Sequence, residues 1–367
     1  MAKLGDVFPL VRNGASIKQT DGATGTPITR IETISNREID RNKFGYANII
    51  DTSKYKDYIL QDGDILMSHI NSEKHLGKVA LYRKQENEQI IHGMNLLMLR
   101  ANPSVIFPSY ATYFFETPAF LMQIRKITKK SVNQASFTVT ALKEIEIPLP
   151  PLDEQRRIAA VLDKVSGLIA KRREQLDKLD ELVKARFVEM FGDPIKNEKG
   201  FPTITGQDFF KLSNGKFVPE QKRFGNGIPA YGGNGISWYT DEILCHNDTI
   251  VVGRVGFQSG NVHLAKGPLW ITDNAMYISD YDLDKFDLRF LYALMEHINF
   301  TRFQDAGDLK KITQKPFMSM EYITPTLKQQ QEYVVFVEQT EKSKLTIQKS
   351  LDKLEMLKKA LMQQYFG

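Results

Sequence analysis

Two stretches of the chain carry apolar residues at the three-to-four-residue spacing of an amphipathic helix. In the first stretch the apolar positions are Ile158, Val161, Val165, Leu168, Leu176, Leu179, Val183, Phe187 and Met190. In the second stretch they include Ile347, Leu351, Leu354 and Leu361. The pattern predicts long helices at residues 151–192 and 326–367, each roughly 55–60 Å in length at 1.5 Å per residue. Thr326 and Gln329 have the spacing of a capping box, which marks the start of the second helix.

The two predicted helices are copies of one sequence. Residues 176–192 read LDKLDELVKARFVEMFG and residues 351–367 read LDKLEMLKKALMQQYFG, so the shared residues lie 175 positions apart. The same spacing relates Gln155 to Gln330. Because each helix has one apolar stripe to bury, we expect the two to pack as an antiparallel coiled coil. The side chains expected in this packing are Leu176, Leu179, Val183, Leu351, Leu354 and Leu361.

The segments between the helices, residues 1–150 and 193–325, have a different pattern. They are rich in glycine, proline, aromatic and β-branched residues with short alternating runs, which predicts mixed, strand-rich globular domains. They are also distant copies of each other: Asn13-Gly14 matches Asn214-Gly215, and a Lys-x-x-x-Gln-x-x-Phe pattern begins at both Lys130 and Lys310. The predicted fold class is therefore α+β, with two related globular domains separated by two long antiparallel helices and an internal pseudo-twofold repeat.

Composition agrees with a two-domain protein, and its charge is compatible with a polyanionic partner. The chain has 367 residues and a net charge of +5, which is compatible with nucleic acid but does not require it. Cys245 is the only cysteine, so no intrachain disulfide can form, and a reducing cytosol is expected. The first residues lack the apolar core of a signal peptide, and no apolar run is long enough for a membrane span.

No catalytic motif accompanies this architecture. The sequence lacks the Asn/Asp-Pro-Pro-aromatic motif of an adenine methyltransferase, a phosphate-binding Gly-Lys-Ser/Thr loop and a His-Glu-x-x-His zinc motif. The glycines of residues 231–235 predict a turn rather than a cofactor loop. His69, His75 and His92 are close in sequence, but polar loop positions or a hydrogen-bonded histidine at the edge of the fold explain them better than a metal site. We expect no metal and no cofactor in this chain.

A resemblance to a known family rests on residues 145–158, which read IEIPLPPLDEQRRI and lead into the first helix, and on residues 228–237, which read IPAYGGNGIS. With these motifs the chain resembles the specificity subunit of type I restriction-modification systems. The resemblance implies that residues 1–150 and 193–325 are target-recognition domains, each reading half of a split sequence in double-stranded DNA. It also implies that residues 151–192 and 326–367 set the spacing between the half-sites and bind methyltransferase subunits.

The resemblance further implies that the chain is not itself an enzyme. S-adenosylmethionine would bind to two partner methyltransferase subunits, and restriction subunits could join them in a prokaryotic cytoplasm. Two alternatives stay open at the level of sequence: a single-chain DNA-modifying enzyme whose active site is not recognised, and a duplicated interaction scaffold that binds protein or glycan.

Candidate DNA contacts lie in the glycine-rich loops, where side chains can reach base edges or phosphates. The candidates for reading bases are His69, Asn71, Lys74, Arg254, Gln258, Tyr231 and Asn234. The candidates for contacting phosphates are clustered cations, namely Lys129, Lys130, Arg302, Lys310 and Lys311. Each of these residues could instead be a solvated loop residue or part of an exposed basic patch.

Overall fold

The structure, a computed structural model, describes residues 1–34, 38–131, 134–307 and 310–367. Contacts within the chain divide it into two compact units. Unit 1 comprises residues 1–172 and 350–367, and unit 2 comprises residues 173–349. Each unit therefore contains one globular segment together with part of each predicted long helix. The division of the chain at residues 150, 192 and 325 stays a prediction.

Unit 1 is built on a four-stranded antiparallel sheet. The strands of unit 1 as a whole are β1 Ala2–Lys3, β2 Leu10–Asn13, β3 Ile65–Ser68, β4 Ile70–Asn71, β5 Val79–Leu81, β6 Leu96–Arg100, β7 Lys129–Lys130, β8 Ala135–Ser136 and β9 Glu146–Ile147. Its shorter helices are α1 Leu4–Val7, α2 Pro108–Phe115, α3 Pro118–Ile127 and α4 Val139–Lys143. The sheet has the order β2-β6-β3-β5, and β4-β8-β7 and β1-β9 form smaller sheets. Strand β3 is buried along its whole length, as its apolar run Ile65-Leu-Met requires of a central strand.

Unit 2 repeats this arrangement. Its strands are β10 Thr203–Thr205, β11 Phe210–Asn214, β12 Ile228–Gly232, β13 Gly235–Thr240, β14 Thr249–Gly253, β15 Val262–Ala265, β16 Trp270–Ile271, β17 Ala275–Tyr281 and β18 Glu321–Ile323. The order β11-β17-β14-β15 matches β2-β6-β3-β5 strand for strand, and both sheets are antiparallel throughout. Helices α6 Leu288–Ile298 and α7 Lys315–Ser319 complete the globular part. The predicted internal repeat is confirmed at the level of sheet topology.

The repeated Asn-Gly pair has a steric cause. Strands β2 and β11 both end at the asparagine, and the glycine then passes close to another backbone. A Cβ atom at Gly14 would lie 1.9 Å from the carbonyl oxygen of Gly93, and one at Gly215 would lie 2.0 Å from that of Thr272. No side chain fits at either position, so glycine is required at both.

Two helices of 40 residues follow the globular segments: α5 Leu152–Phe191 and α8 Leu327–Phe366. Within unit 2 they run antiparallel, because Asp180 forms an ion pair with Lys344 while Phe187, further along α5, contacts Tyr333, which lies earlier in α8. Helix α8 begins with the predicted capping box: Thr326 Oγ1 accepts the Gln329 amide at 3.3 Å, and Gln329 Oε1 accepts the Thr326 amide at 3.0 Å. Among the described residues, no helix is both long and apolar enough to cross a membrane.

A buried glutamine fixes the start of each long helix to its globular segment. Gln155 Oε1 accepts the Phe107 amide at 2.8 Å, while its Nε2 donates to the carbonyl oxygens of Val105 and Pro150. Gln330 makes the same three bonds in unit 2: its Oε1 accepts the Asp287 amide, and its Nε2 donates to Lys285 and Pro325. Both side chains are fully buried. Because each amide satisfies three backbone groups, this glutamine recurs in both copies.

The long helices also contribute to both cores. Phe366 joins Tyr110 and Phe114 in the core of unit 1, at ring-centroid distances of 5.2 and 6.1 Å. Phe187 and Phe191 fill the core of unit 2 beside Phe290 and Tyr333. Of the residues predicted to pack between the helices, Leu351 is buried, and Leu176, Leu179, Val183, Leu354 and Leu361 are half-buried. Val183 packs on the core of unit 2 and Leu361 on that of unit 1.

Candidate nucleic-acid interface

Two structurally equivalent loops leave the ends of the central strands β3 and β14. In unit 1, the Ser68 amide donates to the Lys78 carbonyl oxygen, and the Gly77 amide donates to the Ser68 carbonyl oxygen, both at 2.9 Å. In unit 2, Gly253 and Gly260 repeat the pattern: the Gly253 amide donates to Asn261 at 2.9 Å, and the Gly260 amide donates to Gly253 at 2.8 Å. The two loops therefore occupy the same place in the two sheets.

The loop of unit 2, residues 253–261, is held in one conformation by its neighbours. Gly256, at a φ of +91°, donates its amide to the Lys310 carbonyl at 2.8 Å. Gln304 Nε2 donates to the carbonyl oxygens of Phe257 and Ser259, at 3.1 and 2.6 Å. Bonds to three separate points of the backbone leave the loop little freedom to rearrange.

This loop gathers several of the predicted contact residues on one surface of unit 2. Arg254 and Gln258 lie on the loop itself and are exposed. Val255 pairs with Lys311, which is exposed, and Lys310 beside it is half-buried. The exposed Arg302 belongs to the adjoining segment, residues 300–304, and its guanidinium lies 4.8 Å from the centre of the Phe303 ring. Cations next to an exposed amide match what phosphate and base-edge recognition needs.

The β12–β13 hairpin brings one more predicted residue to this surface. Its turn confirms the predicted turn at residues 231–235, and a Cβ atom added at Gly233 would lie 3.5 Å from Gly253 Cα. Asn234, at the tip, is exposed beside the loop. Tyr231 differs: it is half-buried and packs on the cluster of Val251, Leu269 and Ile271, and burial raises the pKa of its phenol. Its packing favours a structural role, and its contact with a base stays a prediction.

The corresponding surface of unit 1 carries Lys74, Lys129 and Lys130, all exposed. Strand β8 brings them near each other, since it pairs with both β4 and β7. Lys130 forms an ion pair with Glu73 at 2.8 Å between two exposed side chains, a contact that DNA phosphates can displace. Asn71 Nδ2 donates to Ser68 Oγ and its Oδ1 accepts the Ser72 amide, so both ends of this amide already hold local bonds.

The environment of His69 argues against a role in reading bases. Its side chain is only 5% exposed and packs edge-on against Phe137, with the ring centroids 6.2 Å apart. Burial lowers the pKa of His69 to about 4, so the ring is neutral at physiological pH and does not present a cation to DNA. His92 is fully buried, and burial lowers its pKa to about 4 as well. Among the described residues no group of three or more His, Cys, Asp or Glu could hold a metal ion.

The predicted correspondence between Lys130 and Lys310 is wrong. The Phe137 amide donates to the His69 carbonyl, and the Ile312 amide donates to that of Arg254, so Phe137 corresponds to Ile312. Lys310 and Lys311 thus correspond to Ala135 and Ser136, not to Lys129 and Lys130. The Lys-x-x-x-Gln-x-x-Phe similarity aligns the two segments five positions away from the structural register. The structural register is a spacing of 175 residues, the same spacing that relates the long helices.

Sequence reasoning missed two residues of the unit 2 surface. Gln304 holds the loop backbone, as described above, and Phe257 at the loop tip is 83% exposed. A signal for Phe257 was present, because an aromatic residue placed between a glycine and a polar residue in a predicted loop has no strand or helix face to fill. Nothing local in the sequence indicates the role of Gln304, since its partners lie more than forty residues earlier.

Comparison with known proteins identifies relatives of this chain. A family model described as the type I restriction modification DNA specificity domain matches the chain twice, at residues 1–180 and 198–356. The MjaX type I restriction enzyme specificity subunit of Methanocaldococcus jannaschii is 32% identical over 356 residues, which cover 89% of this chain and 83% of that protein. The EcoKI specificity subunit of Escherichia coli is 26% identical over a shorter stretch that covers 42% of this chain and 33% of that protein.

Solved structures share the fold along the whole chain. The S subunit of a type I restriction-modification system from M. genitalium aligns with a TM-score of 0.66 at 15% identity, covering 98% of this chain and 94% of that one. A chain from a study of complex assembly and conformational transition in the type I system aligns with a TM-score of 0.56 at 17% identity, covering 100% and 96%. The comparisons give no support to a single-chain modifying enzyme or to a protein-binding scaffold. The doubled family match and the full-length relative agree with the duplicated fold, and the chain belongs to the type I restriction-modification DNA specificity family.

Proposed function

We propose that this chain selects the DNA sequence on which a type I restriction-modification complex acts, with each globular segment reading one half of a split target. The observation that carries this proposal is the pair of equivalent loops at residues 68–78 and 253–261. The two loops leave matching strands but carry different side chains, so one framework can present two sequence preferences. Cations beside the loops supply the sequence-independent attraction to phosphates.

The partners follow from the same proposal. Two methyltransferase subunits would bind the long helices α5 and α8 and supply S-adenosylmethionine and methyl transfer, while restriction subunits would supply cleavage. The chain itself would be non-catalytic and would work in the prokaryotic cytoplasm. If the purified chain alone methylated DNA in the presence of labelled S-adenosylmethionine, the assignment as a non-catalytic subunit would fail.

An exchange of recognition segments tests the division of labour. Residues 1–150 are replaced by the corresponding segment of another family member, the hybrid is assembled with its methyltransferase subunits, and the methylated sites are mapped by sequencing. The expected result is a new sequence in one half-site and an unchanged sequence in the other. A change in both halves would contradict independent reading by the two segments, and the reciprocal exchange of residues 193–325 provides the matched control.

A further inference from the structure

The loop of unit 2 exposes an aromatic ring to solvent at its tip. Phe257 is 83% exposed, more than Phe217 at 64% or Phe224 at 44%, the next most exposed phenylalanines of this unit among the described residues. An exposed phenyl ring is unfavourable in water, and an isolated one at a loop tip contributes nothing to the core. The ring is therefore available to an external partner.

The exposure of Phe257 belongs to an ordered backbone. Its carbonyl accepts Gln304 Nε2 at 3.1 Å, and the preceding residue, Gly256, donates to Lys310. The ring is thus presented from a fixed position, which lowers the conformational entropy that binding would cost.

The neighbours of Phe257 indicate which partner surface it meets. Arg254 and Gln258 are exposed on the same loop, and their side chains have the geometry to pair with guanine and adenine edges in the major groove. Asn261 Nδ2 donates to Gln258 Oε1, which orients that amide and leaves its Nε2 and one lone pair for a base. An amide that pairs with adenine lies beside an A·T pair, whose one apolar group in the major groove is the thymine 5-methyl.

We propose that the Phe257 ring contacts the 5-methyl group of a thymine in the half-site read by unit 2, and so helps to determine sequence specificity. This inference rests on the proposed function, because it takes duplex DNA as the ligand. The equivalent loop of unit 1 has no such residue: its tip is Ser72-Glu-Lys-His75, followed by Leu76, which is buried. The half-site read by unit 1 therefore serves as a control within the same complex.

The test uses the full chain assembled with its methyltransferase subunits and duplexes in which deoxyuridine, which lacks only the methyl group, replaces each thymine of the target in turn. For the unaltered protein we expect Kd to rise about four-fold at one thymine of the unit 2 half-site, which corresponds to one buried methyl group. For Phe257→Ala we expect a higher Kd than that of the unaltered protein on the thymine duplex. We expect no further rise in Kd when deoxyuridine replaces that thymine. Phe217→Ala, which removes another exposed ring of unit 2, should retain the full response.

The inference is overturned if deoxyuridine is tolerated at every position of that half-site, or if Phe257→Ala still responds to it. It is also overturned if Phe257→Ala weakens binding equally on target and unrelated duplexes, since the ring would then touch only the sugar-phosphate backbone. Failure of the proposed function gives a different result: the unaltered complex would show no preference for any duplex sequence, and the inference would fail with it.

Discussion

At the scale of residues, equivalent positions in the two loops have opposite environments. The carbonyl oxygens of His69 and Arg254 accept hydrogen bonds from equivalent backbone amides. His69 is nevertheless buried against Phe137, whereas Arg254 is exposed beside Lys311. A shared backbone thus supports a core histidine in one copy and a cation available to DNA in the other. We propose that the specificity of each half-site depends on such side-chain differences rather than on the shared backbone.

Two substitutions separate base reading from phosphate attraction in unit 2. If Arg254 makes the proposed bidentate contact to guanine, Arg254→Ala should lose about 1–3 kcal/mol of discrimination at one base pair of the target. Lys311→Ala should weaken binding by a similar factor on every sequence and reduce the salt dependence by about one ion. Kd values on target and mismatched duplexes at several salt concentrations measure both effects. Equal weakening on all sequences by Arg254→Ala would remove it from the base-reading set.

The sequence indicates which loops carry candidate contact residues, but not which of their side chains are exposed. Glycine-rich loops with Arg254, Gln258 and Lys311 could be recognised because side chains on loops reach ligands. The burial of His69 could not be predicted, because it depends on contact with Phe137, sixty-eight positions later in the chain. All of the proposed DNA contacts, Arg254, Gln258 and Lys311 as well as Asn71 and Lys74, stay predictions.

At the scale of elements, the buried glutamine links each long helix to its globular segment. Gln330→Ala should leave the Asp287 amide and the carbonyl oxygens of Lys285 and Pro325 buried without their bonds, which costs about 3 kcal/mol. The denaturation midpoint and the hydrogen exchange of the Asp287 amide measure this loss. Gln331→Ala, an exposed neighbour on the same helix, is the matched control, and its stability should change by less than about 0.5 kcal/mol. An equal effect of both substitutions would mean that the glutamine bonds do not stabilise the helix start.

Elements differed in how far the sequence could predict them. The long helices were predictable because the apolar spacing of 3.6 continues over 40 residues, and the capping box at Thr326 marks one start. The sheet order was not predictable, because strands such as β2 and β6 pair across more than eighty residues and none of the local sequence records that pairing. The wrong lysine correspondence also arose because local sequence does not record strand pairing. Three identical residues in a stretch of eight favoured one alignment, whereas the backbone follows the 175-residue spacing.

At the scale of the whole molecule, duplication explains the function. Two copies of a sheet, a recognition loop and a long helix in one chain can read two different sequences, whereas a homodimer of one copy would read the same sequence twice. We propose that the length of α5 and α8 determines the number of base pairs between the two half-sites. A heptad is the natural unit of change, since seven residues turn an α-helix through nearly two full turns and leave the apolar stripe in place.

The most direct test of this account removes one heptad from each of α5 and α8 at positions 175 residues apart, and maps the methylated sites of cells that express the variant with its methyltransferase subunits. Each helix becomes about 10 Å shorter, equivalent to roughly three base-pair steps. The account predicts two unchanged half-site sequences separated by a shorter gap. An unchanged gap with altered half-site sequences would contradict it, because the helices would then take part in reading bases rather than in setting the distance between them.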